Sequence, residues 1–238
     1  MTMLSIVQSF CKRTGITTPT TVFGSTDTKV LQVMALLEEE GNDLAVRGGW
    51  QELQFQASHT TIAAEDQGDI NTIASNGFRY IKNQTIWDRT TKLPVLGPMS
   101  DKEWQALKAI IVTGPRYRFR IRANKLLVNP APPAGSSWYF EYVSKYWILE
   151  SDGTTYSDAF SNDADTPLLP ESLLLQGLRW RWKKEKGLEY AEDFRTYEMQ
   201  VKDAIGRDGG KPIVYADNNP WRGPLPGIWV PDGNWQVP

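Results

Sequence analysis

An α+β fold is what this 238-residue sequence predicts: a four-helix bundle formed by both ends of the chain, an inserted small antiparallel β domain, and an extended C-terminal arm. Three observations carry that expectation. Apolar residues recur at helical spacing near the start (Val30, Met34, Leu37, Leu44) and again late in the chain (Tyr197, Val201, Ile205). Between these stretches the period drops to two, as at Leu53, Phe55 and Ala57. From Lys211 onward neither period survives, because prolines at 212, 220, 224, 226, 231 and 238 forbid a regular helix or a central strand.

In chain order, Leu4, Val7 and Cys11 mark a short first helix that Gly15 and Pro19 stop. Ser25 and Asp27 are candidate caps for a longer second helix, which runs to about Arg47 before Gly48 and Gly49 end it. Residues 1–50 are thereby the first half of the helical domain, and 51–165 the β domain. Within the latter, the alternation from Leu53 predicts a half-buried strand, and 79–82 and 85–88 read as short strands. Ser100 and Glu103 form a capping-box pattern opening a helix through Trp104, Leu107 and Ile111, closed by Gly114 and Pro115. Residues 116–122 turn through Asn124 into 126–129 as a hairpin, and 138–149, dense in aromatic and β-branched residues, predicts one strong strand. An Asp-rich connection over 151–165 returns the chain to helix, with Pro170 in the first turn and Leu174, Leu178 and Trp182 on one face. Gly187 separates this helix from a last one carrying Tyr190, Phe194, Tyr197, Val201 and Ile205, so 166–210 is the second helical half and 211–238 the arm.

The arm holds Trp221, Trp229 and Trp235, with Ile228 and Val230 beside the second. A disordered tail is poor in aromatics, so this segment reads as a strap whose apolar anchors bind a partner, a neighbouring subunit or another protein. Fully extended it reaches roughly 90 Å.

Net charge is −2, which argues against a protein whose main task is coating nucleic acid. One cysteine and one histidine exclude an internal disulfide framework and a cysteine-rich zinc site, and they thin the catalytic inventory. The expectation is a non-enzymatic chain with no cofactor and no metal. Neither a secretion signal nor a membrane-spanning stretch is recognisable, so the expected compartment is intracellular or a particle assembled there.

The sharpest charged feature is Arg116, Arg118, Arg120 and Arg122, alternating with Tyr117, Phe119 and Ile121. Four guanidinium groups on one strand face suit acidic residues of a neighbouring subunit, or DNA phosphates; the plainer reading is a solvated hairpin face neutralised by a partner such as Glu141. Arg179, Arg181, Lys183, Lys184 and Lys186 read as a snorkelling basic helix end, or as an interface anchored by Trp180, which cannot share the direction of a core Trp182. His59 and Cys11 read as structural. Asp152, Asp158, Asp163 and Asp165 lack the spacing of a calcium loop, and residues 206–211 lack the strand and the Ser or Thr of a phosphate loop. Glu189 with Glu192 or Asp193 reads as helix-dipole partners sooner than as a carboxylate pair flanking a sugar bond.

Several segments in order carry a resemblance: LSIVQSFCKRTGITTP at 4–19, VFGSTDTKVLQVMALLEEEGNDLAVRGGWQEL at 22–53, NQTIWDR at 83–89, GPMSDKEW at 97–104, NPAPPAG at 129–135 and FEYVSKYW at 140–147. Over roughly residues 4–207 the chain resembles the SU10-like head-to-tail adaptor (connector) proteins of short-tailed phages, which are related in architecture to the tail tubular gatekeepers of T7-like phages. Where those proteins commonly carry a Leu-Pro-Ala-Asp-like step before the NQTIWDR segment, this chain has Ser75-Asn76-Gly77-Phe78-Arg79. The resemblance implies a homo-oligomeric ring, a dodecamer, beneath the portal protein of a virion neck. Its helical domain would form the wall, with surfaces for tail nozzle or tail fibre proteins and transient non-specific contact with genomic DNA. The competing expectation is a carbohydrate-binding or cell-wall-degrading tail component, since exposed aromatics also stack on sugars.

Overall fold

Thr2 and Asp27 set the first two helices. The Thr2 hydroxyl accepts the Ser5 N–H to open α1 (Met3–Thr14), which Gly15 closes in the left-handed conformation. The Asp27 carboxylate accepts the Lys29 N–H at 2.8 Å and opens α2 (Thr28–Arg47). The computed structural model describes residues 1–110 and 116–209, so Gly114, Pro115 and the whole of 211–238 lie outside the described residues, but the helix that Ser100 opens, expected to run through Ile111, already ends at Ala109, with Ile110 extended.

After α2 a single 3-10 turn leads into β1 (Gln54–Thr60), β2 (Asp66–Asp69), the short α3 (Ile70–Ile73), β3 (Phe78–Ile81), β4 (Trp87–Asp88) and β5 (Leu93–Pro94). Next come α4 (Asp101–Ala109), β6 (Arg118–Arg122), β7 (Lys125–Asn129), β8 (Ser137–Ser144), β9 (Ile148–Leu149), β10 (Tyr156–Ser157) and β11 (Thr166–Pro167). Two helices finish the described chain, α5 (Glu171–Glu185) and α6 (Ala191–Arg207). The fold is mixed α+β, with small sheets whose named strands all pair antiparallel. β8 is the centre of the largest, paired with β1 along its whole length (Gln54 opposite Val143, Thr60 opposite Ser137) and with β3 and β4. β2, β7 and β6 form a second sheet, and β10, β9 and β11 a third.

The strand expected over 138–149 is two strands. β8 stops at Ser144, whose Oγ accepts the Tyr146 N–H at 2.8 Å in a tight turn, and β9 joins a different sheet. Trp147 lies between them, leaves the sheet and enters the helical core, where its Nε1–H donates to Asn42 Oδ1 at 2.8 Å. Its ring lies against Gly41, where any Cβ would overlap the indole. The run is rich in aromatics because it serves two cores.

Those cores are distinct. One gathers buried side chains from α1, α2, α5 and α6, together with Trp50, Trp147 and Phe160. The other fills the space between the two larger sheets with Ala57, Phe119, Val128, Trp138, Phe140 and Tyr142. The sequence pattern allowed only one of Trp180 and Trp182 a core position, yet both are buried. Trp182 meets Phe10 of α1 edge-on at 5.8 Å, whereas Trp180 meets Phe194 of α6 at 5.0 Å. A helix packed on more than one side has no single apolar stripe. No described helix is long and apolar enough to cross a membrane.

Candidate functional surface: the arginine hairpin and its surroundings

β6 and β7 are joined by Ala123 and Asn124, both at positive φ (48° and 60°), the two-residue turn geometry whose twist matches that of the strands. The register it sets puts Arg122 opposite Lys125 and turns Tyr117 and Phe119 into the core. The arginines take the other face, and that face is not open. α4 lies across it, tied at its start by Asp101 to Arg120 and near its end by Lys108 to Glu65. Trp104, between the two ties, is buried. The expected capping box is formed: Glu103 Oε2 accepts the Ser100 N–H at 2.9 Å and its hydroxyl at 2.7 Å. Those hydrogen bonds, with the nearby Arg118 charge, hold the Glu103 carboxyl below the usual range.

The row of four therefore divides. Arg120 is paired with Asp101; Arg118 reaches the Met99 sulfur at 4.0 Å and sits near Glu103. Arg116 and Arg122 are exposed and have no acidic partner among the described residues. Glu141, expected as the neutralising partner, is on β8 opposite Gln56 and belongs to another sheet; the charges come from α4, which no strand-pairing argument includes.

The basic run of α5 also differs from a solvated face. Arg181 is buried and bonds Glu40 Oε2 at 2.6 Å, Asp43 at 3.1 Å, and Glu39. Glu40 is wholly buried, touches Gly177 and accepts the Tyr197 hydroxyl. Burial pushes the Glu40 carboxyl up, against the hydrogen bonds from Arg181 and Tyr197, and burial with the Glu40 charge pushes the Tyr197 phenol up. Arg47 joins Asp43 to Glu198. A charged seam thus joins α2, α5 and α6, and sequence reasoning missed it because its members are up to 157 residues apart. Lys183 and Arg179 bond Asp193, and Glu189 accepts the Ala191 N–H at 3.1 Å, the helix-start role expected of these acids.

Three of the four aspartates of the 151–165 connection accept backbone N–H groups. Asp165 Oδ2 accepts the Ser161 and Asn162 N–H groups at 2.7 and 2.8 Å, and its Oδ1 the Ser151 N–H at 3.0 Å. Asp163 Oδ1 accepts from Val22 and Phe23, and Asp152 from Thr154 and Thr155. Asp152 and Asp165 thereby order the 151–165 connection, while Asp163 ties it to the segment that precedes α2. Among the described residues no group of three His, Cys, Asp or Glu side chains is placed to hold a metal ion. His59 bonds Gln67 at 3.2 Å, and Cys11 is buried, its thiol pushed up by burial. Residues 206–209 complete and cap α6, while Gly210 and Lys211 lie outside the described residues. So do Trp221, Ile228, Trp229, Val230 and Trp235.

Among the described residues, three grooves flank the β8 sheet. One of about 320 Å³ is lined by Gln56, Trp87, Arg89, Tyr139 and Glu141, and there the Arg89 guanidinium stacks 3.5 Å from the Tyr139 ring centroid, covering a ring face that a sugar would need. A second, about 630 Å³, lies over Gln54, Tyr80, Lys82 and Val143 and includes Asp208 and Gly209. The third, about 600 Å³, is an apolar cleft between β3 and β6. Compared with known proteins, the chain matches no family model and no curated sequence.

Proposed function

We propose that this chain is the subunit of a structural adaptor ring in the neck of a short-tailed phage virion, docking on the portal protein, extending the DNA channel and presenting a surface to tail components. What carries the reading is the sequence after Lys211, where six prolines stand among Trp221, Trp229 and Trp235, apolar anchors suited to a partner's surface. The shared core of α1, α2, α5 and α6 supports a four-helix bundle built from residues 1–50 and 166–210 as the ring wall, with 51–165 as the protruding β domain. Arg116 and Arg122 supply cations for the acidic edge of a neighbouring subunit. Mass measurement of the purified chain with and without portal tests ring formation. Deleting 211–238 tests the arm: loss of the ring from portal particles is expected, and undiminished retention refutes the arm's role.

A further inference from the structure

Side chains alternate along 87–89. Trp87 and Arg89 line the groove of about 320 Å³, while Asp88 between them turns to the other face of the sheet and is wholly buried. A carboxylate in such a place needs a partner for each oxygen. Asp88 Oδ1 has two, the Thr90 and Thr91 N–H groups at 2.8 and 3.1 Å. Its Oδ2 is buried with no hydrogen-bond partner among the described residues. Trp138 of β8, only 1% exposed, has the complementary defect, because its indole Nε1–H is buried without an acceptor there.

The register sets the two side by side. Asp88 is directly opposite Trp138, and the Arg89 N–H donates to Ser137 O at 2.9 Å, so the ladder bonds flank this pair instead of joining it. In a pair of that kind the side chains share one face of the sheet and stand closer than in a bonded pair. An acceptor that lacks a donor therefore adjoins a donor that lacks an acceptor, yet no direct bond links them. Neither group is free to close the gap. Two backbone amides hold the Asp88 carboxylate, and the Trp138 ring packs against Tyr117 with centroids 5.6 Å apart. Tyr117 is itself buried beside this spot: burial, and then the Asp88 charge, push its phenol up.

We propose that one internal water bridges Trp138 and Asp88, accepting the indole N–H and donating to Asp88 Oδ2. Water suits the pair because a single molecule has to accept and donate at once; the indole N–H repels a bare cation, and the carboxylate repels an anion. The bridge pins β4, a strand of two residues, to β8, and with it the Trp87 and Arg89 wall of the groove. Nothing in this rests on the adaptor reading.

Nuclear magnetic resonance on the full chain tests it. A water held inside the protein gives a dipolar cross-peak between the water signal and the Trp138 indole hydrogen, opposite in sign in NOESY and ROESY spectra, whereas exchange of that hydrogen with solvent gives the same sign in both. Trp138→Phe identifies the indole signal by its loss. Tyr117→Phe is expected to leave the cross-peak in place, which separates a bound water from a phenol hydrogen that exchanges with solvent. A cross-peak of exchange sign, one that disappears with the Tyr117 hydroxyl, or none at all overturns the proposal. A crystal structure of the unsubstituted chain is a second measure that needs no variant. An oxygen at about 2.7–3.2 Å from both Trp138 Nε1 and Asp88 Oδ2 is expected. A direct bond between indole and carboxylate, or density that lacks this oxygen, refutes the bridge.

Discussion

Replacing Arg181 by Met keeps the helix and most of the side-chain stem but removes the guanidinium facing Glu40. The three carboxylates around it are unequal: the Glu39 side chain is 60% exposed, Asp43 37% and Glu40 0%. Exposed pairs contribute about 0–1 kcal/mol each, whereas orphaning a buried charge costs about 3–5 kcal/mol, so Glu40 sets the loss. The Tyr197 hydroxyl still donates to Glu40, which places the expectation near the lower end, at about 3 kcal/mol. For a chain of this length that lowers Tm by about 6–12 °C. The pH dependence is the sharper measurement. Burial already raises the Glu40 carboxyl above its ordinary 4.5, and without Arg181 it rises further. A raised carboxyl binds its proton more tightly in the folded state. The deficit is therefore smallest below the unfolded value and grows, by at most about 1.4 kcal/mol per pH unit, as pH climbs through the folded value. Urea unfolding of the parent, Arg181→Met and the control Glu39→Gln at pH 5 and pH 8 reads both effects. We expect the Arg181→Met deficit to be smaller at pH 5 and Glu39→Gln to cost less than about 1 kcal/mol. A deficit under about 1 kcal/mol at pH 8, or one that does not shrink in acid, refutes the view that a buried, paired Glu40 holds these helices together.

Other outcomes follow from single contacts. Gly41→Ala should cost about 1–3 kcal/mol in thermal melts, because its methyl overlaps the Trp147 ring, and Trp147→Phe in the same chain should recover part of that loss. Ser100→Ala removes the α4 cap and should cost about 1 kcal/mol by denaturant titration. Asp165→Ala, which strips three backbone N–H groups of their acceptor, should destabilise by about 2–4 kcal/mol, while millimolar calcium leaves the parent's Tm unchanged. A rise in Tm on adding calcium would show that these aspartates bind the ion after all.

Local patterns carried most of the element list. Asp27, the Ser100 and Glu103 capping box, and the Asn124 turn all act where short-range chemistry puts them, because a cap or turn satisfies backbone groups within a few residues. The pattern failed where one residue serves distant neighbours. Ser144 and Trp147 break the run 138–149 because the indole has its place against Gly41, more than a hundred residues earlier. Among the arginines of β6, alternation assigned the face, yet α4 decides which charges remain open by laying Asp101 on Arg120.

Composition and periodicity alone thus determined that the chain is α+β, that long helices flank a β-rich middle, and that residues 211–238 combine prolines with tryptophans. Tertiary packing decided the rest: which cations are buried, why both Trp180 and Trp182 leave water, and that Ile81 and Ile121 share a cleft beside Gly209. Propensity and amphipathic period depend on near neighbours along the chain, whereas charge pairing and cavity shape depend on which faces of separate elements meet.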